Sequence, residues 1–165
     1  MGSEMCIRDR ARVEGTAVFL FRDLGKAPPA LVNNLQHNKV LHRDTLIVCV
    51  RTDEAPQVDP AERAEVTDVA ELEPGVRQVL LRFGFMEEPD VPRALQALSD
   101  GGRPFDVDNA TYFLGRESVH SGDVEGMHPV LEHLFGLLNR GSDSAARFFN
   151  LPSERVFEVG TRVEI

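Results

Sequence analysis

The run Thr45-Leu46-Ile47-Val48-Cys49-Val50 is apolar at odd and even positions alike. Successive side chains of a strand point to opposite faces, so a run of this kind reads as a central strand covered on both sides. Before it, Thr16 to Phe21 is a short apolar run with β-branched and aromatic residues, the composition of a second strand. Between them, Pro28-Pro29 opens a helix, where the missing proline N–H would be unpaired anyway. Leu31, Val32 and Leu35 give that helix an apolar stripe, and it is expected to continue to about His42. Strand, helix and strand in this order predict a right-handed crossover joining a parallel pair.

Downstream, the segment from Asp53 to Pro60 carries prolines and acids and reads as a loop. Arg63 to Leu72 alternates weakly, and in Val76 to Phe85 the residues Val79, Leu81, Phe83 and Phe85 share one face at period two. With Glu73-Pro74-Gly75 as the turn, the two form a hairpin. Asp90 is placed as the N-cap of a helix that buries Leu95 and Leu98, with Gly101-Gly102 as its stop. Asp106 to Glu117 returns as a strand, and Ser118 to Gly126 reads as a polar loop. The apolar series Leu131, Leu134, Phe135 and Leu138 follows helical spacing and ends at Gly141. A short helix near Ser144 to Phe149 precedes a last strand with Phe157, Val159, Val163 and Ile165 on one face. The order β-α-β-β-β-α-β-α-α-β predicts a single α/β domain, a mixed sheet covered by helices.

Composition narrows the function classes. Of 165 residues, 18 are Lys or Arg and 27 are Asp or Glu, a formal charge of −9. An acidic chain of this kind lacks the clustered cations that phosphate neutralisation requires, so no nucleic-acid partner is expected. Peripheral binding to anionic lipid is disfavoured for the same reason. No run approaches the roughly 18 apolar residues of a membrane span, which leads to the expectation of a soluble chain. Cys49 lies inside the central apolar run, where a small buried thiol is the ordinary reading. Residues 1–10 are set apart as non-native: Met5-Cys6-Ile7-Arg8-Asp9-Arg10 resembles a translated sequencing adapter and has no apolar core of a signal peptide. The domain is then 11–165.

Several residue groups have the right types for chemistry and the wrong spacing. His37 and His42 on one helix would stand about 140° apart, whereas metal-binding histidines sit at i, i+4. Asp106 and Asp108 would share a strand face, without a third carboxylate at a recognisable spacing. Ser118, His120 and Asp123 are crowded together with no nucleophile elbow around the serine. Gly101-Gly102-Arg103 precedes Pro104 and a strand, the wrong context for a phosphate cradle. No enzyme activity, metal or cofactor is expected. Arg82, Phe83 and Phe85 supply the types for stacking and charge pairing with a small nucleotide, although phenylalanine at strand period is more often core.

Ordered blocks along the chain carry a resemblance. They are Gly15-Thr16-Ala17-Val18-Phe19, Asn34-Leu35-Gln36-His37-Asn38-Lys39-Val40-Leu41-His42 and Arg82-Phe83-Gly84-Phe85-Met86-Glu87. Glu88-Pro89-Asp90-Val91-Pro92, Thr111-Tyr112-Phe113-Leu114-Gly115-Arg116-Glu117 and Leu151-Pro152 through Arg155-Val156 to Glu158-Val159-Gly160-Thr161-Arg162-Val163-Glu164-Ile165 complete the set. Together they resemble the soluble tail of the Kup/HAK/KT potassium-uptake transporters, from about Val13 to Ile165. The resemblance implies the cytoplasmic C-terminal domain of an inner-membrane potassium:proton symporter. Its transport residues would lie in a transmembrane domain outside this chain, so this fragment alone would transport nothing. It further implies an assembly, stabilising or regulatory role, with a homodimer or a small nucleotide ligand as partners. His37, Asn38, Lys39 and His42 are the candidate functional contact. The rival expectation is a free-standing soluble protein that binds a small molecule or nucleotide.

Overall fold

The computed structural model describes residues 11–68, 75–100, 105–119 and 145–163. Among these residues six strands form one sheet: β1 (Ala11–Leu20), β2 (Val40–Asp53), β3 (Ala64–Asp68), β4 (Val76–Gly84), β5 (Thr111–Val119) and β6 (Val156–Val163). Their spatial order is β3-β4-β2-β1-β5-β6. β1 runs parallel to both β2 and β5, β2 is parallel to β4, and β5 to β6; only β3 is antiparallel, as the hairpin partner of β4. The sheet is therefore mixed, and its parallel strands reverse direction of winding between β1 and β5, as in doubly wound α/β domains.

Helices α1 (Pro29–Asn33), α2 (Val91–Asp100) and α3 (Ala145–Phe148) connect these strands. α1 contributes Ala30 and Leu31 to a cluster with Ala17, Phe19, Ile47 and Val76 on one face of the sheet. α2 and α3 contribute Val91, Ala94, Leu95 and Ala146 to the larger cluster on the other, with Val18, Leu46, Val48, Val79, Leu81 and Tyr112. Leu46, Val48 and Cys49 have no exposed surface, as the doubly apolar run of β2 requires. Each fully buried aliphatic side chain contributes about 1.5–3 kcal/mol, so this middle of the sheet anchors the domain. The Cys49 thiol donates to the Arg22 carbonyl at 3.3 Å.

Asp90 caps α2: its carboxylate accepts from the Arg93 amide at 3.0 Å. The expected stop at Gly101-Gly102, His120 and Asp123, the helix around Leu131 to Leu138, Cys6 and the adapter-like segment all lie outside the described residues.

Three expectations are corrected. The helix opened at Pro29 does not reach His42. It passes into a π-helical turn, Asn34–Asn38, and the chain is already in β2 at Val40. His42 is thus a strand residue. Phe85 does not continue the face of Val79, Leu81 and Phe83, because β4 ends at Gly84 and Phe85 stands on the following turn, 59% exposed. Finally, Asp106 is not in a strand: its carboxylate accepts from the Asn109 amide at 3.0 Å and the Asn109 side chain at 2.8 Å, fixing a turn before β5. Asp106 and Asp108 therefore form no carboxylate pair on a strand face.

Candidate functional site

The two ends of the parallel sheet carry different chemistry. At the amino-terminal end, β1 and β2 pair from Ala11 and Val40 onward, but β4 joins β2 only at Thr45, and β5 joins β1 only at Ala17. Residues 11–16 and 40–44 therefore project past the rest of the sheet as a two-stranded ribbon. A bulge between Val13 and Thr16 kinks it, with Gly15 at φ 109 supplying the conformation that L-residues avoid. Arg12, Glu14, Thr16, Arg43, Asp44 and Arg77 line a cleft of about 800 Å³ along its flank. Arg77 and Asp44 approach to 3.7 Å across it.

The π turn abuts the ribbon. Asn34 donates from its side chain to the Val40 carbonyl at 3.1 Å and accepts from the Asn38 side chain at 2.8 Å. This locks the turn where the chain swings into β2. Lys39 then adopts φ 54, a left-handed conformation that costs a lysine energy. Of the four sequence candidates, His37, Asn38 and Lys39 share this exposed knuckle. His42 stands apart on β2, half-buried, its ring edge-on to Phe113 at 6.3 Å. Burial lowers its pKa below the ordinary histidine value.

At the opposite end, the turn after β4 is held by one carboxylate. Glu87 accepts from the Gly84 amide at 2.6 Å, the Val58 amide at 3.1 Å and the Arg63 guanidinium at 2.5 Å. Those bonds, the Arg63 bond first, pull its pKa down to about 2. The Arg63 guanidinium also lies 4.9 Å over the Phe83 ring. Phe85 stands on this turn, 59% exposed, and borders the same cleft as Phe148, which is 60% exposed. Together with Arg93, Arg147 and Asn150 they line a cleft of about 710 Å³.

Of the three candidate ligand residues, Phe83 and Phe85 both border this cleft, Phe83 from the buried side and Phe85 as an exposed wall, whereas Arg82 points to β3, where it meets Glu65 at 3.4 Å. Sequence reasoning missed Arg93 and the adjacent pair Arg147-Phe148, which stand more than 50 residues from Arg93 and share no motif with it. Among the described residues no three His, Cys, Asp or Glu side chains gather as a metal site would require.

The knuckle lies in a sequence block that carries the resemblance, and the ribbon and the clamped turn each overlap one. Residues 14–165 match the model of the K+ potassium transporter C-terminal domain. The chain belongs to this family. A probable potassium transport system protein Kup of Pseudomonas putida is 44% identical over 163 residues, covering 99% of this chain and 25% of the relative. The Kup 2 protein of a Bradyrhizobium species is 43% identical over 153 residues, 93% of this chain and 24% of its own length. A probable Kup protein of Acidiphilium cryptum is 43% identical over 154 residues, again 93% and 24%. The chain thus spans about a quarter of the curated Kup relatives it matches. No solved structure matches it. Among the described residues, no helix of this Kup-family domain is long and apolar enough to cross a membrane.

Proposed function

We propose that this chain is the cytoplasmic C-terminal domain of an inner-membrane potassium uptake protein, a potassium:proton symporter. Its role there is to assemble and stabilise the transporter; the domain itself neither conducts ions nor catalyses. The observation that carries this reading is the family match over residues 14–165, to a domain defined by its position at the end of potassium transporters.

The geometry favours assembly. β6 closes the sheet on one side, with no further strand beyond it among the described residues. On that edge Phe157 is 58% exposed while stacking on Phe113 at 5.8 Å, which in turn stacks on Phe19 at 4.6 Å. An aromatic ring anchored on one side and open on the other suits a contact with a second copy. The test is sedimentation of the domain over a range of concentrations. A concentration-dependent dimer that Phe157→Glu converts to monomer is expected; a monomer at all concentrations would count against assembly through this edge.

A second reading, regulation by a small ligand, is favoured by the cleft between Phe85 and Phe148. Aromatic rings flanked by Arg93 and Arg147 have the chemistry to stack a base and pair with a phosphate. A nucleotide that raises the melting temperature of the domain, and fails to do so in Arg93→Ala, would establish it.

A further inference from the structure

We propose that the projecting ribbon and the π knuckle beside it, residues 11–16 and 34–44, are the surface on which this domain docks against the cytoplasmic loops of the membrane part of the same polypeptide. The inference rests on the transporter-tail reading and adds to it a place and a partner.

Connectivity puts the partner at this end. The chain matches a C-terminal domain and covers about a quarter of its relatives' length, so most of a Kup protein precedes the domain and reaches it through β1. β1 begins in the ribbon, at Ala11. The far ends of the parallel strands, with the clamped turn and its cleft, point the other way.

The charge pattern selects loops over lipid. Recruitment to anionic headgroups takes clusters of four or more cations. The ribbon and knuckle instead interleave Arg12, Lys39 and Arg43 with Glu14 and Asp44, on a chain of net charge −9. Cytoplasmic loops of membrane proteins carry an excess of Lys and Arg. An acidic domain is drawn toward them as a whole, and alternating charges at its leading edge set register through individual pairs.

Two observations mark this surface. The Thr16 hydroxyl, on a residue only 2% exposed, lies at the cleft and has no hydrogen-bond partner. Buried polar atoms are nearly always satisfied, and a loop that seats in the cleft and shifts its wall would supply the missing bond. Lys39 holds a left-handed backbone at an exposed knuckle where glycine would be unstrained. Strain kept at a surface position points to a contact made there.

The chain contains two lysines, one at each end of the sheet: Lys39 on the knuckle and Lys26 in the loop after β1. Amine-reactive cross-linking therefore reports which end faces the membrane part. The protein to use is the full-length Kup protein of Pseudomonas putida carrying residues 11–165 in place of its own tail, in zwitterionic nanodiscs. Lys39 is expected to link to cytoplasmic loops and Lys26 is not. Glu14→Arg, which reverses an exposed ribbon charge, is expected to reduce those links and to lower rubidium uptake about three- to tenfold at equal membrane abundance. Lys39→Gly, which relaxes the backbone and so keeps the fold, should lower uptake in the same sense.

Equal linking of both lysines in an actively transporting chimera overturns the docking surface alone. So does linking of Lys39 to loops only when anionic lipid is present, which would make lipid the partner, or linking of Lys39 to the tail of a second copy. A chimera that takes up no more rubidium than a tailless transporter would overturn the tail reading itself.

Discussion

Replacing Glu87 with glutamine removes one negative charge and leaves shape nearly unchanged, so it isolates what the carboxylate does. In the folded domain that carboxylate accepts from two backbone amides and one guanidinium, with its side chain 17% exposed. The folded carboxyl binds its proton only near pH 2, against an ordinary value of 4.5. By linkage that difference sets an upper bound of about 3 kcal/mol. Water reaches part of the side chain and screens the charge, so about 2 kcal/mol is the expected loss, a fall of about 4–8 °C in melting temperature for a domain of this size. The sign of the pH effect follows from the lowered pKa. The unfolded chain takes up its proton as pH falls below 4.5, while the folded chain resists until about 2. The stabilisation is therefore complete at pH 7 and is lost progressively between pH 4.5 and 2. Urea unfolding of the wild type and Glu87→Gln, at pH 7 and at pH 3, measures this directly. The midpoints should differ at pH 7 and draw together at pH 3. Equal midpoints at pH 7, or an undiminished gap at pH 3, would refute the reasoning.

Two further tests address neighbouring features. A Cβ on Gly84 would overlap the Pro56 carbonyl in the loop that packs on this turn, so Gly84→Ala should cost about 3 kcal/mol in urea unfolding. His42 is held below its ordinary pKa by burial, so the unfolded state takes up the proton first and stability should fall as pH drops through about 6.5. His42→Phe should flatten that part of the pH profile, measured as melting temperature between pH 8 and 5.

The fold was largely legible because its strongest signals are local. The doubly apolar run of β2, the alternation of Val79, Leu81 and Phe83, and the Asp90 cap each depend on a few adjacent residues. What escaped depends on contacts between segments. Nothing in Asn34-Leu35-Gln36-His37-Asn38 announces a π turn, since no Gly or Pro marks it and the bond that fixes it is made to Val40. Leu41 lies within the stretch read as helix, yet it is buried from a strand. Asp106 is a strong turn former whose role shows only once Asn109 folds back onto it. The knuckle residues His37, Asn38 and Lys39 stand in one sequence block, but the left-handed backbone of Lys39 is not visible there. The aromatic and arginine walls of the far cleft are assembled by packing α3 against the start of α2, which no window of sequence contains.

The placement of β1 has a mechanical consequence. Tension applied at its amino-terminal end enters the sheet through an interior strand, flanked by β2 along its length and by β5 over Ala17 to Leu20. The pull runs along the strand, so the flanking hydrogen bonds are loaded together in shear; an edge strand pulled sideways would peel them one at a time. A domain tethered in this way should follow its anchor as a unit, passing displacement to the whole sheet without first coming apart.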